Sequence, residues 1–326
     1  MTTFCIASPY DPSEKSRWDD FVEASRNATF LFRRDFMDYH ADRFVDASLM
    51  FEDAHGRLKG LLPASLHLAE GEVRSHGGLT YGGFLLSPAT HAQEVEGMLL
   101  AARDFYVRHF GIHRIIFRPI PSIYHRMPAD DELYWFFRYG MKLTACTLSS
   151  TVHLQHPAPF AELRRRGVRR AERNGLCVQE ASDAMAWREF WMVLADVLAL
   201  RHDRHPVHSI EEMLLLRERF PENIALFVVR EGTASGRIVG GTVLFFSAPV
   251  VHAQYISASD AGCRMGALDL LFHTILKTYS ESSVYTYFDF GISTEDNGHF
   301  LNTGLNAQKE GFGARSVVYN TYTWDF

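Results

Sequence analysis

The 326 residues predict an α/β chain of two tandem domains, each a mixed sheet flanked by helices. Three observations carry that expectation. Apolar residues make up 47% of the chain and charged residues 22%, the balance of a globular protein with a real core. Helical and strand-like segments run in one order in both halves: helices, three strands, helix, strand, helix, strand. Finally, "RYGMKLTACTLSS" aligns with "GFGARSVVYNTYT", placing Tyr139-Gly140-Met141-Lys142 over Phe312-Gly313-Ala314-Arg315 at an offset of 173 residues. The repeat puts the domains at residues 1–158 and 159–326.

In the first half, a helix is expected over Ser13 to Ser25, with Trp18, Phe21 and Val22 on one face. The runs "FVDASLMFED", "RLKGLLPASLHL" and "GLTYGGFLL" read as strands. Val95, Met98, Leu99, Ala102, Phe105, Tyr106 and Phe110 recur at steps of three and four, which predicts a long amphipathic helix. "HRIIFRPI" follows as a buried strand, "DDELYWFFRYG" as a short helix and "MKLTACTLSSTVHL" as an alternating strand.

The second half opens on the arginine-rich helix "PFAELRRRGVRRAERNG". The next helix carries Trp187, Phe190, Trp191, Leu194, Val197 and Leu198 on one face. Ser209 and Glu212 form a capping box that starts another. Strands "IALFVVREG", "GRIVGGTVLFF" and "VVHAQYIS" lead to a helix over Gly266 to Tyr279. Strand "SVYTYFDFG", a short helix near Asn302 to Glu310 and strand "RSVVYNTYTWDF" close the chain. Gly140 and Gly313 each suit the left-handed turn that ends a helix.

The offset also separates the halves chemically. It sets Lys309 and Glu310 opposite Phe136 and Phe137, and Asp289 opposite Ile116. Charge in a register that the other half fills with core is costly unless it is paired or functional. The chemistry is therefore expected in the C-terminal domain, near the edge it shares with the first.

Bulk properties exclude several classes. The formal net charge is −6, so DNA is not an expected partner and any anion site is a local patch. Cys5, Cys146, Cys177 and Cys263 form no CxxC pair, which fits free thiols in a reducing compartment and no zinc site. "MTTFCIASPYDPSEK" lacks the basic and apolar regions of a signal peptide, and no apolar run reaches spanning length. A soluble, cytoplasmic protein without membrane insertion is expected. The glycines at 77, 78, 82 and 83 come without Gly-Lys-Ser/Thr, which excludes a P-loop.

Three segments resemble the FemABX-like branch of the GNAT acyltransferase superfamily. "LRRRGVRRAERNGLCVQE" is similar to the helix and strand that open its second domain. "VVHAQYISASDAGCRMGALDLLFHTILK" is similar to the splayed strand, phosphate loop and helix of a GNAT fold. "FDFGIS…LNAQKEGFGAR" is similar to the closing strand, helix and strand. The resemblance implies two tandem GNAT-like domains and an N-acyltransferase without a metal. The donor is acyl-CoA or, as in the best-known FemABX members, aminoacyl-tRNA. The acceptor is an amine of a small molecule, or of a nucleotide- or lipid-linked cell-wall or surface-polysaccharide precursor. Acyl-CoA users of the superfamily usually carry Q/R-x-x-G-x-G/A before the helix; Gly262-Cys263-Arg264-Met265-Gly266-Ala267 keeps part of it. That departure also leaves room for a non-catalytic module that binds a ligand or a protein partner.

Candidate residues follow. Ala258, Ser259, Gly262, Arg264, Met265 and Gly266 form the expected phosphate- and carbonyl-binding loop ahead of a helix, or else an ordinary strand–helix turn. Arg164, Arg165, Arg166, Arg169, Arg170 and Arg173 are either an anion site or a solvated face. Arg201, His202, His205 and His208 lie in a loop that Pro206 keeps from regular helix, a substrate contact or plain surface. Tyr255 is a candidate proton donor or a half-buried sheet residue. Cys263 has nothing basic beside it in sequence and reads as a small residue. Asp289 is placed to deprotonate or hold an amine, or to pair with Lys309. Tyr81, in the glycine-rich strand pair, is expected to face the acceptor. Lys309 is either a solvated helix end or a group aimed at the site.

Overall fold

A computed structural model describes residues 5–75, 77–200 and 205–326, with the backbone alone for 201–202. The chain divides into two compact units. The first comprises residues 1–148, 294–300 and 318–326; the second comprises 149–293 and 301–317.

The second unit is built on a sheet ordered Leu176–Ala181, Ile224–Glu231, Ile238–Ser247, Val250–Ala258, Tyr287–Ile292 and residues 149–153. All neighbours run antiparallel except Val250–Ala258 and Tyr287–Ile292, which run parallel. Strand Ile238–Ser247 is buried at every position, which its unbroken apolar run demands. Helices Glu162–Arg173 and Ala267–Ser280 pack on this sheet, with Val168, Ala171, Leu271, Phe272 and Ile275 in one core with Phe288, Phe290 and Phe312. Helix Ala184–His202 approaches closely: a Cβ on Gly241 would stand 3.0 Å from the Phe190 ring. Ser209 and Glu212 make the expected capping box for helix Ile210–Arg219.

The first unit has two sheets. One is ordered Ile6–Pro9, Leu49–Glu52, Leu58–Leu62 and Leu85–Leu86. The other contains Val45–Asp46, Ser65–His67, Glu72–Ser75, Arg114–Phe117 and the end of strand Arg315–Asp325. Helix Ala92–Phe110 buries Val95, Met98, Leu99, Ala102 and Tyr106 on the face its spacing predicts. It stops at Gly111, whose φ of 64° is the left-handed cap.

The repeat is visible in the elements. Helix Asp131–Arg138 and helix Thr303–Glu310 lie 173 residues apart to within one residue, as do strands Arg114–Phe117 and Tyr287–Ile292 at their starts. Gly140 and Gly313, both at positive φ (67° and 88°), end the equivalent helices. A cut at 158/159 follows this repeat along the sequence. The compact units follow strand pairing instead. Strand Lys142–His153 runs on to pair Phe288 with Val152, while the last strand pairs Tyr322 with Phe117. Each unit is thus closed by a strand from the other half of the sequence.

Candidate active site

The parallel pairing of Val250–Ala258 with Tyr287–Ile292 lasts only from Val250↔Tyr287 to His252↔Asp289. Two irregularities end it. The pairing of Val250–Ala258 with its other neighbour shifts between Val243 and Leu244, leaving Gln254 as an extra residue. Tyr287–Ile292 shifts register after Asp289 on the side of residues 149–153. The two strands therefore splay just beyond His252 and Asp289.

Asp289 is fully buried at this point. Its Oδ1 accepts from Ser149 Oγ at 2.6 Å, Thr151 Oγ1 at 3.1 Å and the Gly291 amide at 3.2 Å. Its Oδ2 lies 2.9 Å from Nδ1 of His252. A carboxylate buried in a sheet needs such donors to stay charged. Gly291 has φ of 76°, a conformation that turns its carbonyl out of the strand ladder.

Lys309 answers that carbonyl. Its Nζ donates to Gly291 O at 2.8 Å and to Ile292 O at 2.7 Å, and the residue is 5% exposed. Burial lowers its pKa to about 8, and the negative charge of Asp289 draws it partly back up. Asn306, one turn earlier on helix Thr303–Glu310, is also buried, with Oδ1 3.3 Å from Ser150 Oγ. Gly291 joins Asp289 and Lys309, giving its N–H to one and its carbonyl to the other.

At the start of helix Ala267–Ser280 is a cleft of about 400 Å³ lined by Arg164, Cys263, Gly266, Asp269, Gly304 and Gln308, among others. Asp269 sits in the first turn of Ala267–Ser280 and pairs with Arg164 at 2.7 Å. Burial raises its carboxyl above the ordinary range, while Arg164 and Arg170 pull it back down. Arg164 also stacks 5.5 Å over the Phe312 ring.

Residues 162–299 match the family described as Acetyltransferase (GNAT) domain. No curated protein shows significant similarity to the chain in sequence. Among solved structures, the chain is similar to FemX, at TM-score 0.69 and 12% identity, over 98% of this chain and 97% of that one. It is also similar to L-PGS from Bacillus licheniformis (TM-score 0.62, 14% identity, 97% and 92% covered). A tandem GNAT protein from the clavulanic acid biosynthesis pathway follows at TM-score 0.52 and 12% identity, covering 98% of each chain. Residues 162–299 are thus similar to a GNAT acetyltransferase domain, and the fold of the chain is similar to that of FemX.

Within residues 162–299, the expected phosphate loop is a helix. Asp260–Met265 is helical, with Ser259 Oγ capping the Gly262 amide at 3.1 Å and Ser259 O taking the Cys263 amide at 2.8 Å. Those two amides are engaged within the helix itself. Ala258 is buried, Gly262 packs against Val239, Met265 is half-buried and Arg264 is exposed. Gly266, at φ of 89°, ends this helix and begins Ala267–Ser280. Of the six residues expected in the loop, Gly266 lines the cleft, and Cys263 joins it there.

The arginine run divides. Arg164 turns inward, whereas Arg165 and Arg169 bridge Glu162 on an exposed surface. Tyr255 and His208 come together: His208 Nδ1 lies 2.6 Å from the Tyr255 hydroxyl, whose ring meets Trp191 edge-on at 5.0 Å. His205 is exposed, and the side chains of Arg201 and His202 lie outside the described residues. Tyr81 belongs to the first unit, where it is buried among Phe32, Tyr124 and Tyr319, a packing position. Among the described residues, no group of three or more His, Cys, Asp and Glu side chains could hold a metal ion. Nor is any described helix long and apolar enough to cross a membrane.

Sequence reasoning missed His252 and Asp269. A lone histidine in "VVHAQYIS" carries no pattern, and its carboxylate partner is 37 residues away. Asp269 reads as an ordinary acidic residue in a helix's first turn.

Proposed function

We propose that the chain is an N-acyltransferase whose chemistry belongs to the C-terminal half, at the splay between Val250–Ala258 and Tyr287–Ile292. The carrying observation is the buried Lys309 amine, hydrogen-bonded to the Gly291 and Ile292 carbonyls. Acyl transfer needs a positioned amine, an activated carbonyl and donors where negative charge develops. With pKa about 8, Lys309 is mostly an ammonium at neutral pH. Two of its N–H bonds hold the strand, and the third is available for the tetrahedral oxyanion or the leaving group. Asp289 anchors the splay, and Tyr255, held by His208, is a further polar group on the strand that carries His252.

The donor in this reading is acyl-CoA, with its acyl end at the splay and its body along the cleft by Gly266. The acceptor is an amine on a small molecule or on a cell-wall or surface-polysaccharide precursor, and the work is done in the cytoplasm. A second donor, aminoacyl-tRNA, is favoured by Asp269. Its carboxylate already occupies the positive end of helix Ala267–Ser280 and consumes Arg164, so a pyrophosphate there meets like charge. The resemblance to FemABX proteins points the same way.

The test is direct transfer. Labelled acetyl-CoA and aminoacylated tRNA are each incubated with the protein and with amino sugars or peptide amines, and products are read by mass spectrometry. Transfer from one donor alone, lost in Lys309→Met with the fold retained, supports the reading. Absence of transfer from both donors overturns it.

A further inference from the structure

We infer that His252 is the general base of the acyl transfer, with Asp289 as its positioning residue; this rests on the acyltransferase reading above. The argument is geometric. His252 Nδ1 stands 2.9 Å from Asp289 Oδ2, inside the sheet. Asp289 Oδ1 is occupied by Ser149, Thr151 and the Gly291 amide, so the carboxylate cannot rotate away. A carboxylate at Nδ1 holds the proton on that nitrogen and leaves the lone pair on Nε2.

The ring also lies against Gly291. A Cβ built on Gly291 would stand 3.5 Å from Cε1 of His252, the ring atom between Nδ1 and Nε2. The carbonyl of that same glycine takes a hydrogen bond from Lys309 Nζ. The His252 side chain keeps 13% of its surface open, whereas that of Asp289 keeps none. Base and cation thus flank one glycine at the mouth of the splay, and Gly291 leaves out the side chain that would fill it.

The step balances as follows. The acceptor amine attacks the acyl carbonyl carbon, forming the C–N bond and moving the carbonyl electron pair onto oxygen beside Lys309. His252 Nε2 takes the proton that the nitrogen loses. Collapse re-forms the carbonyl and breaks the C–S bond of a thioester or the C–O bond of an aminoacyl ester. The imidazolium returns its proton to the departing thiolate or alkoxide. The products are an amide and a thiol or hydroxyl, with no other reactant.

The experiment compares wild type, His252→Gln, His252→Ala and Asp289→Asn, each checked for native circular dichroism. In His252→Gln, a donor to Asp289 remains but the base is gone, and kcat should fall about 10²–10⁴-fold with KM little changed. Added imidazole should restore part of the activity of His252→Ala. Asp289→Asn should lose rate through the wrong tautomer. Nitrogen-15 NMR of the wild-type imidazole gives a readout that needs no variant: Nδ1 protonated toward Asp289 supports the assignment. An active wild type whose His252→Gln variant stays within threefold, or a ring protonated at Nε2, overturns the base alone. A wild type without turnover from any donor overturns the acyltransferase reading together with it.

Discussion

Lys309 has two of its three N–H bonds committed to backbone carbonyls and is held at a pKa of about 8. Two consequences follow. Lys309→Met should lower kcat about 10²–10³-fold, the usual loss when one oxyanion donor is removed. Stability should respond to pH in a defined sense. The folded value lies below the ordinary 10.5, so the unfolded chain binds the additional proton between about 8 and 10.5. Stability of wild type relative to Lys309→Met should rise with pH across that window, by about 3 kcal/mol in full, as read by urea unfolding. Glu132, in the first unit, has the opposite sign. Burial raises it from 4.5 to about 8, although it accepts from the Phe84 amide at 3.0 Å. Its folded form holds the proton that the unfolded chain releases, so wild type loses stability as pH rises from about 4.5 to 8. Glu132→Gln does not titrate and should be the more stable protein at pH 8 by up to about 5 kcal/mol, with the gain vanishing near pH 4. An equal effect at both pH values would count against a neutral Glu132. At this scale the repeat is informative. Lys309 is buried where Phe136 is buried, and Glu310 is exposed where Phe137 is exposed, so the offset marks Lys309 as a charge in a core register. No such comparison marks His252, whose role depends on a partner in another strand.

The segment 259–266 shows how an element can be misread. Gly262 and Gly266 weaken helix propensity, and together with Ser259 they look like a loop. The fold makes Gly262 necessary for a different reason: a Cβ there would stand 2.2 Å from the Val239 carbonyl oxygen. Close packing selects the glycine. The same logic governs helix Glu162–Arg173. A Cβ on Gly167 would stand 1.8 Å from Asp269 Oδ2. Exposed Gly→Ala changes in helices stabilise by about 1 kcal/mol. Gly167→Ala should instead destabilise by about 2–4 kcal/mol, because it displaces Asp269 and breaks a buried pair with Arg164. Urea unfolding decides the sign, and a gain in stability would mean that Asp269 relocates at no cost. The periodicity of Ala92–Phe110, the capping box at Ser209 and the paired stops at Gly140 and Gly313 needed no tertiary information. The helix at Asp260–Met265 did, since its glycine serves a neighbour 23 residues earlier.

For the chain as a whole, the repeat shows two equivalent halves, but not which closing strand serves which unit. Strands Lys142–His153 and Arg315–Asp325 are both long alternating segments following a helix and a left-handed glycine. Either pairing satisfies the pattern in sequence. The choice lies in register: Tyr322, Thr323 and Trp324 lie opposite Phe117, Ile116 and Ile115, and Trp324 joins the core of the first unit at 5% exposure. A C-terminal deletion is therefore predicted to damage the N-terminal unit. Removing residues 318–326 takes a strand and a buried tryptophan from the sheet containing Arg114–Phe117, and leaves that strand's outer amides and carbonyls without a ladder. Hydrogen exchange should lose protection at Ile115 and Phe117 and along Glu72–Ser75, while Ile224–Glu231 and Ile238–Ser247 keep theirs. Because strand ladders open cooperatively, the loss should spread through the first unit's sheet rather than stop at the cut. Protection retained in that sheet after the deletion would show that the first unit closes without the final strand.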